Sequence, residues 1–230
     1  MKRIMFLAAA LTFLMIGQSQ ALITGSAHDF SSMAWSGGEI CKPCHTPHNA
    51  IEQDVTDRLW NHTLSTTTYK TAEGDAEPQD RIDGSSRLCL SCHDGTVALD
   101  SFGGTTGTSF IGGSAKLGTD LSNDHPIGYA AVYNPGQLSS STGLYRMKAM
   151  KDANKGTIAV AGRTMSLVQD TAVVSSYTNG GATDVGGVNF TKTWVVSCRT
   201  CHNVHNAYNT NDLLVAPNTA SQLCLACHNK

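Results

Sequence analysis

Hydrophobic positions cluster at the N-terminus of the chain and are sparse elsewhere. An apolar run from Ile4 to Ile16 follows Lys2 and Arg3, and a polar stretch ending in Ser19-Gln20-Ala21 comes next. The run is too short to span a bilayer, and small residues occupy the positions that a signal peptidase recognises. The pattern predicts a secretory signal at residues 1–21 that is removed after Ala21.

Beyond Ala21, few segments keep an apolar periodicity of 2 or 3.6 residues, so long strands and helices are not expected. The stretches TIAVAGRTMSLV (157–168) and TAVVSSY (171–177) predict short strands. The Gly- and Ser-rich stretch SFGGTTGTSFIGGSAKLG (101–118) predicts loops. The polypeptide by itself therefore offers little material for a regular core.

Composition and charge narrow the function classes. The chain has 16 Lys and Arg against 18 Asp and Glu, which gives a formal net charge of −2 and argues against nucleic-acid binding. No transmembrane segment is predicted. Aromatic residues make up only 7% of the chain and glycine accounts for 22 positions, so we expect a bound group to supply much of the core.

One five-residue pattern, Cys-x-x-Cys-His, occurs four times and takes up all eight cysteines. On one turn of helix, cysteines three apart lie on the same face, and the histidine that follows points towards the same ligand. This is the attachment signature of haem c, in which both thiols form thioethers and the histidine ligates iron. The sequence predicts four covalently attached haem c groups. The predicted thioether cysteines are Cys41, Cys44, Cys89, Cys92, Cys198, Cys201, Cys224 and Cys227, and the predicted proximal ligands are His45, His93, His202 and His228.

Other uses of eight cysteines explain the pattern less well. A disulfide framework leaves the histidine after each second cysteine unexplained. Zinc ribbons use Cys-x-x-Cys pairs but do not require that histidine. A thioredoxin-like redox motif needs a single pair in a βαβ context, which the sequence does not show.

An internal repeat divides the chain into two haem-pair modules. The stretch CKPCHTPHNA (41–50) resembles CRTCHNVHNA (198–207), and LCLSCH (88–93) resembles LCLACH (223–228). We predict a first module at 22–93, a cysteine-free Gly/Ser/Thr-rich scaffold segment at 94–197, and a second module at 198–230. The expected fold class is a multihaem cytochrome c with a haem-dominated core, short helices at the haem motifs, a few short strands and little other regular structure.

Five histidines lie outside the motifs, enough to fill the sixth position of all four irons with one to spare. These distal candidates are His28, His48, His62, His125 and His205. His48 and His205 each lie three residues beyond a proximal histidine, so neither can reach the opposite face of that same haem. We expect His205 at the haem of Cys224 and Cys227, and His48 at the haem of Cys89 and Cys92 or at a haem of another subunit.

Local context adds detail at two of these histidines. Pro126 favours an extended backbone at His125, and Asp124 is the expected partner of the other ring nitrogen of His125. Trp60, two residues before His62, is a candidate to stack on a porphyrin.

The series HDFSS (28–32), CKPCHTPHNA, LWNH (59–62), LCLSCHDGTVALDSFGG (88–104), DHPIGY (124–129), CHNVHNA (201–207) and LCLACH resembles the doubled-CxxCH multihaem cytochromes of metal-reducing bacteria. The likeness is greatest to their tetrahaem outer-surface filament cytochromes, the OmcE-like proteins. The resemblance implies a homopolymer of head-to-tail subunits with a continuous row of haems, and a histidine that ligates a haem of the next subunit. His48 or His28 would be that histidine, and His205 would be the distal ligand opposite His228.

The positions of the terminal motifs favour assembly independently of this resemblance. Cys41 lies soon after the predicted cleavage site and His228 lies next to the end of the sequence, so little polypeptide is available to cover the outer haems. Exposed porphyrin faces are apolar patches, and a head-to-tail contact that does not close produces a filament.

We therefore expect an electron-transfer protein rather than an enzyme, at the cell outer surface or in the extracellular space. Its donors and acceptors would be other redox proteins or extracellular metal oxides. The alternatives are a monomeric shuttle in the periplasm or outside the cell, and a multihaem reductase, which requires an iron with an open position.

Overall fold

A computed structural model of the chain describes residues 23–51, 59–71, 76–77, 82–128, 132–133, 156–168 and 194–228. The predicted signal at 1–21 and the predicted strand at 171–177 lie outside these residues. Regular structure in the described part is limited to short helices and short strands, as the expected fold class requires. In the same part of the chain, no helix has the length and apolar character that crossing a membrane demands.

Three α-helices carry haem-motif cysteines. Helix α1 spans Gly84–His93, α2 spans Cys198–Cys201 and α3 spans Gln222–Leu225. Asp83 caps α1 by accepting a hydrogen bond from the backbone N–H of Ser86 at 3.0 Å. Single 3₁₀ turns lie at Phe30–Ser32, Ala34–Ser36, Gly113–Ala115, Asn211–Leu213 and Thr219–Ser221.

The strands form three antiparallel pairs. They are β1 Tyr69–Lys70 with β2 Ala76–Glu77, β3 Val132–Tyr133 with β6 Trp194–Val195, and β4 Thr157–Val160 with β5 Arg163–Ser166. The β4–β5 hairpin turns at Ala161 and Gly162, whose φ angles of 48° and 74° suit a tight two-residue connection. The strand prediction over 157–168 is confirmed. The loop prediction over 101–118 is also confirmed, apart from the 3₁₀ turn at Gly113–Ala115 and a single bridge at Phe102.

Two small apolar clusters support the motif helices. One surrounds α1 and contains Tyr69, Ile82, Leu90 and Leu121. The other joins the β4–β5 hairpin to the last two motifs and contains Ile158, Val160, Met165, Leu167, Val196, Val215, Ala216, Leu223 and Cys227. The central hairpin thus packs directly against the cysteines of the C-terminal motifs.

Helices α1 and α2 meet at their N-terminal ends. The backbone N–H of Cys198 donates to Ser86 Oγ at 3.1 Å, and that hydroxyl donates to Asp83 Oδ2 at 2.5 Å. A buried hydrogen-bond chain therefore fixes the third motif against the second.

Candidate haem sites

Each motif is wound into a helical turn that brings its two cysteines to one side. The backbone N–H of His45 donates to the carbonyl of Cys41 at 2.8 Å, and the equivalent bonds are 3.0 Å at His202 and 2.9 Å at His228. The second motif occupies the last two turns of α1. The predicted one-turn geometry of Cys-x-x-Cys-His is therefore present in all four copies.

The eight cysteines are all free thiols, so each of them can form a thioether. Burial raises the pKa of Cys44 and Cys201 to about 11 and that of Cys92 to about 12. These thiols are protonated and uncharged at neutral pH. Within the described residues, no group of three or more His, Cys, Asp and Glu side chains converges as a site for a metal ion.

Neighbouring motifs lie side by side in the order of the sequence. Cys44 is close enough to Cys92 that ionisation of one thiol would raise the pKa of the other, and Cys227 packs in one apolar cluster with Cys201. The thiols of Cys89 and Cys198 are hydrogen-bonded, which lowers the pKa of Cys198. These contacts link each motif to the next along the chain, and the contact between Cys89 and Cys198 joins the first two motifs to the last two.

Three of the four predicted proximal histidines face a second imidazole. The ring centres are 6.0 Å apart for His93 and His28, 6.2 Å for His45 and His205, and 6.2 Å for His228 and His125. A metal-bound imidazole nitrogen lies about 2 Å from the metal and about 1 Å from its own ring centre, so two axial imidazoles on one metal have centres about 6 Å apart. Each pair therefore has the spacing that one iron between two imidazoles requires.

The hydrogen bonds of several rings leave Nε2 available for iron. Nδ1 lies 2.8 Å from the Ala115 carbonyl in His93, 2.8 Å from the Asp212 carbonyl in His202 and 2.9 Å from the Pro126 carbonyl in His125. A carbonyl oxygen only accepts, so Nδ1 carries the proton and Nε2 holds the lone pair. Metal-ligating histidines are oriented in this way.

His28 is held in place by an aromatic cluster of the N-terminal arm. Its ring packs against Phe30, Phe30 packs against Trp35 at 5.3 Å, and Trp35 packs against Phe102 at 6.0 Å. Burial lowers the pKa of His28 to about 4, and the charges of His93, His202 and His205 act in the same direction. The imidazole is therefore neutral at physiological pH, which is the form that ligates a metal.

The pairing differs from the one that the repeat suggested. His205 faces His45 rather than His228, and the partner of His228 is His125. His28, not His48, faces His93. Because His205 follows the third motif and His45 belongs to the first, two distant parts of the chain contribute to this imidazole pair. Asp124 was the expected partner of His125, but Nδ1 of His125 donates to the Pro126 carbonyl instead.

The remaining two candidates face no other imidazole, although all nine histidines are within the described residues. His62 is buried, and its Nδ1 and Nε2 lie 2.9 Å from the carbonyls of Thr63 and Ala98. His48 is exposed in the loop after the first motif. The fourth proximal histidine, His202, is exposed too and likewise has no imidazole opposite it. Trp60 presents its ring edge-on to His45, at 6.0 Å and 90°.

These observations fit covalently bound haem. Paired thiols on a helical turn, imidazoles with Nε2 available, and ring pairs with room for one metal are the donor set that haem c uses. The buried Nδ1 of His28, which makes no hydrogen bond within the described part of the chain, is a further polar position at this site. Backbone carbonyls as ring partners carry no sequence signal and were not predictable.

Comparison with known proteins agrees with this geometry. Residues 194–230, which contain the third and fourth motifs, match the doubled CXXCH motif family. The match supports a multihaem c-type cytochrome. No curated protein matches the chain. Multihaem c-type cytochromes bind haem covalently through their CXXCH motifs, act in electron transfer and are typically exported.

Proposed function

We propose that the chain is a tetrahaem c-type cytochrome that passes electrons along a row of four haems and polymerises into an extracellular filament. The observation that carries the proposal is the set of three imidazole pairs with ring centres 6.0–6.2 Å apart. Haem iron supplies reversible one-electron oxidation and reduction when bound. The row of motifs, with contacts between successive cysteines, supports transfer from one haem to the next.

The protein's own groups set the ligation. His45, His93 and His228 would be proximal ligands opposite His205, His28 and His125. The carbonyls of Ala115 and Pro126 orient two of these rings by accepting from Nδ1. His62, whose two nitrogens face carbonyl oxygens, would be the surplus histidine and would hold the segment 98–102 against the segment 61–63.

Assembly follows from the two histidines that remain. His202 has its Nδ1 held by the Asp212 carbonyl and an exposed ring, and His48 is exposed and has no imidazole partner in its own chain. We assign His48 as the ligand that crosses to the His202 haem of a neighbouring subunit. A head-to-tail contact of this kind repeats without closing and extends the row of haems from subunit to subunit. Such a polymer would carry electrons from the cell to metal oxides or other redox proteins outside it.

Negative-stain electron microscopy of the purified, haem-loaded protein tests this proposal. We expect long filaments that keep the c-type absorbance, and only small particles for His48→Ala. Asn49→Gly is the matched control, since Asn49 is the next exposed residue and its φ of 55° is one that glycine adopts freely. Small particles from the unmodified chain would favour the monomeric shuttle. Filaments from His48→Ala would contradict ligation by His48 across the interface.

The unopposed His202 ring also favours a second candidate. If no histidine closes this position, its iron keeps an open site, as a multihaem nitrite or hydroxylamine reductase requires. A high-spin haem that persists in the assembled protein, together with reduction of nitrite or hydroxylamine, would support this candidate. An assembled protein in which every iron is low-spin would contradict this reductase candidate.

A further inference from the structure

A carboxylate is buried beside the haem motif of α1. Asp94 directly follows His93, and only 1% of its surface is exposed. Its backbone N–H donates to the Leu90 carbonyl at 2.9 Å, which continues the hydrogen-bonding pattern of α1. The backbone of Asp94 is therefore fixed directly after a predicted iron ligand.

The carboxyl group of Asp94 accepts three hydrogen bonds. Oδ2 accepts from the Tyr69 hydroxyl at 2.8 Å, and Oδ1 accepts from Thr96 N and Thr96 Oγ1 at 2.7 and 2.9 Å. Ser65 Oγ lies 2.9 Å from Thr96 Oγ1 and completes the network. All three contacts to the carboxyl come from donors, which suits a carboxylate that accepts and does not donate.

Little water reaches the Asp94 carboxylate, so its charge is only weakly screened. Tyr69 is 2% exposed, and burial together with the Asp94 carboxylate raises its pKa, so the phenol remains a donor. A hydrogen bond with Ser65 and the charge of the Arg87 guanidinium both lower the pKa of the Tyr69 hydroxyl and offset part of this effect. The Asp94 charge also reaches the thiol of Cys92, which is one of the two haem attachment points in this motif.

We propose that Asp94 lowers the reduction potential of the haem bound by Cys89, Cys92 and His93. The oxidised iron carries one more positive charge than the reduced iron, and a buried carboxylate nearby stabilises the oxidised form. Asp94 acts on the iron through its charge and is a tuning residue. It would set the reduction potential of one haem in the row. The inference rests on the proposed function, because it requires haem at this motif.

Asp94→Asn removes the charge and keeps the size of the side chain. In a spectroelectrochemical titration of the haem-loaded chain, we expect one component to become easier to reduce. The expected change in its reduction equilibrium is tenfold or more, which corresponds to about 59 mV for one electron. The control is Asp120→Asn, the same chemical change at an exposed carboxylate that pairs with Lys70 at 3.2 Å. Solvent and salt screen that charge, so the reduction potentials of all components should be unchanged.

Tyr69→Phe separates charge from packing and covers the case in which Asp94→Asn does not fold. It keeps the carboxylate but removes one donor, so the negative charge is less compensated. We expect the same component to become harder to reduce. A higher reduction potential of this component in Tyr69→Phe, or an unchanged potential in both variants, would overturn the proposal. A chain that binds no haem c would instead refute the proposed function, which the absorbance spectrum reveals before any titration.

Discussion

The imidazole rings of His45 and His205 lie 6.2 Å apart and within 20° of parallel. This spacing is wider than the roughly 3.5–4.0 Å of stacked rings, and it equals the roughly 6 Å between the centres of two imidazoles that hold one iron through their edge nitrogens. The first motif supplies one ring, and the segment after the third motif supplies the other. A single iron between these rings would be held by both segments, so the first and third motifs would depend on each other.

His205→Ala should therefore affect the haem of the first motif, not that of the last. We expect one low-spin iron to become high-spin, since the cavity left by the ring admits only a weak ligand such as water. Electron paramagnetic resonance measures the change, and added imidazole should restore the low-spin signal. A spectrum identical to that of the unmodified protein would refute the pairing.

The nine histidines and the four motif turns were predictable from the sequence, but the pairing of the rings was not. The repeat suggested that His205 serves the haem of its own module, whereas the structure places it against His45. The spacing of three residues excludes the haem of His202 as the partner of His205. The choice among the other three haems depends on how distant segments pack, and local spacing does not determine it. The β4–β5 hairpin was predictable because its signal, alternation around a tight turn, is local.

His62 was predicted as a distal candidate on the same grounds as the others. Its burial and its contact with the Ala98 carbonyl arise from the packing of the segment 98–102 against it, which no local pattern indicates. Asp94 was not singled out either, because an aspartate after a motif is ordinarily a surface residue.

His62→Ala should leave ligation intact and reduce stability. A neutral His62 ring donates to one of the two carbonyls, that of Thr63 or that of Ala98, and the loss of this donor in a buried position costs about 1–3 kcal/mol; a cavity adds to the loss. Chemical denaturation of the haem-loaded protein checks the stability, with the exposed His48→Ala variant, studied as dissociated subunits, as the control. The appearance of a high-spin signal in His62→Ala would show that this histidine is a ligand after all.

The β4–β5 hairpin should stabilise the C-terminal motifs through its buried face. Met165 is 2% exposed within the cluster that contains Cys227, so Met165→Ala should cost about 2–5 kcal/mol of unfolding free energy. Thr164→Ala, on the exposed face of the same strand, should change stability by less than about 0.5 kcal/mol. Equal losses in the two variants would contradict the packing of this hairpin against the motifs.

The most direct test of the account is the number of low-spin irons per chain, measured by electron paramagnetic resonance in dissociated subunits and in the assembled protein. Three imidazole pairs lie within one chain, and the fourth pair would form between His202 and His48 of a neighbouring subunit. The account predicts three low-spin irons and one high-spin iron per dissociated subunit, and four low-spin irons after assembly. Four low-spin irons in the dissociated subunit, or more than one high-spin iron, would contradict it.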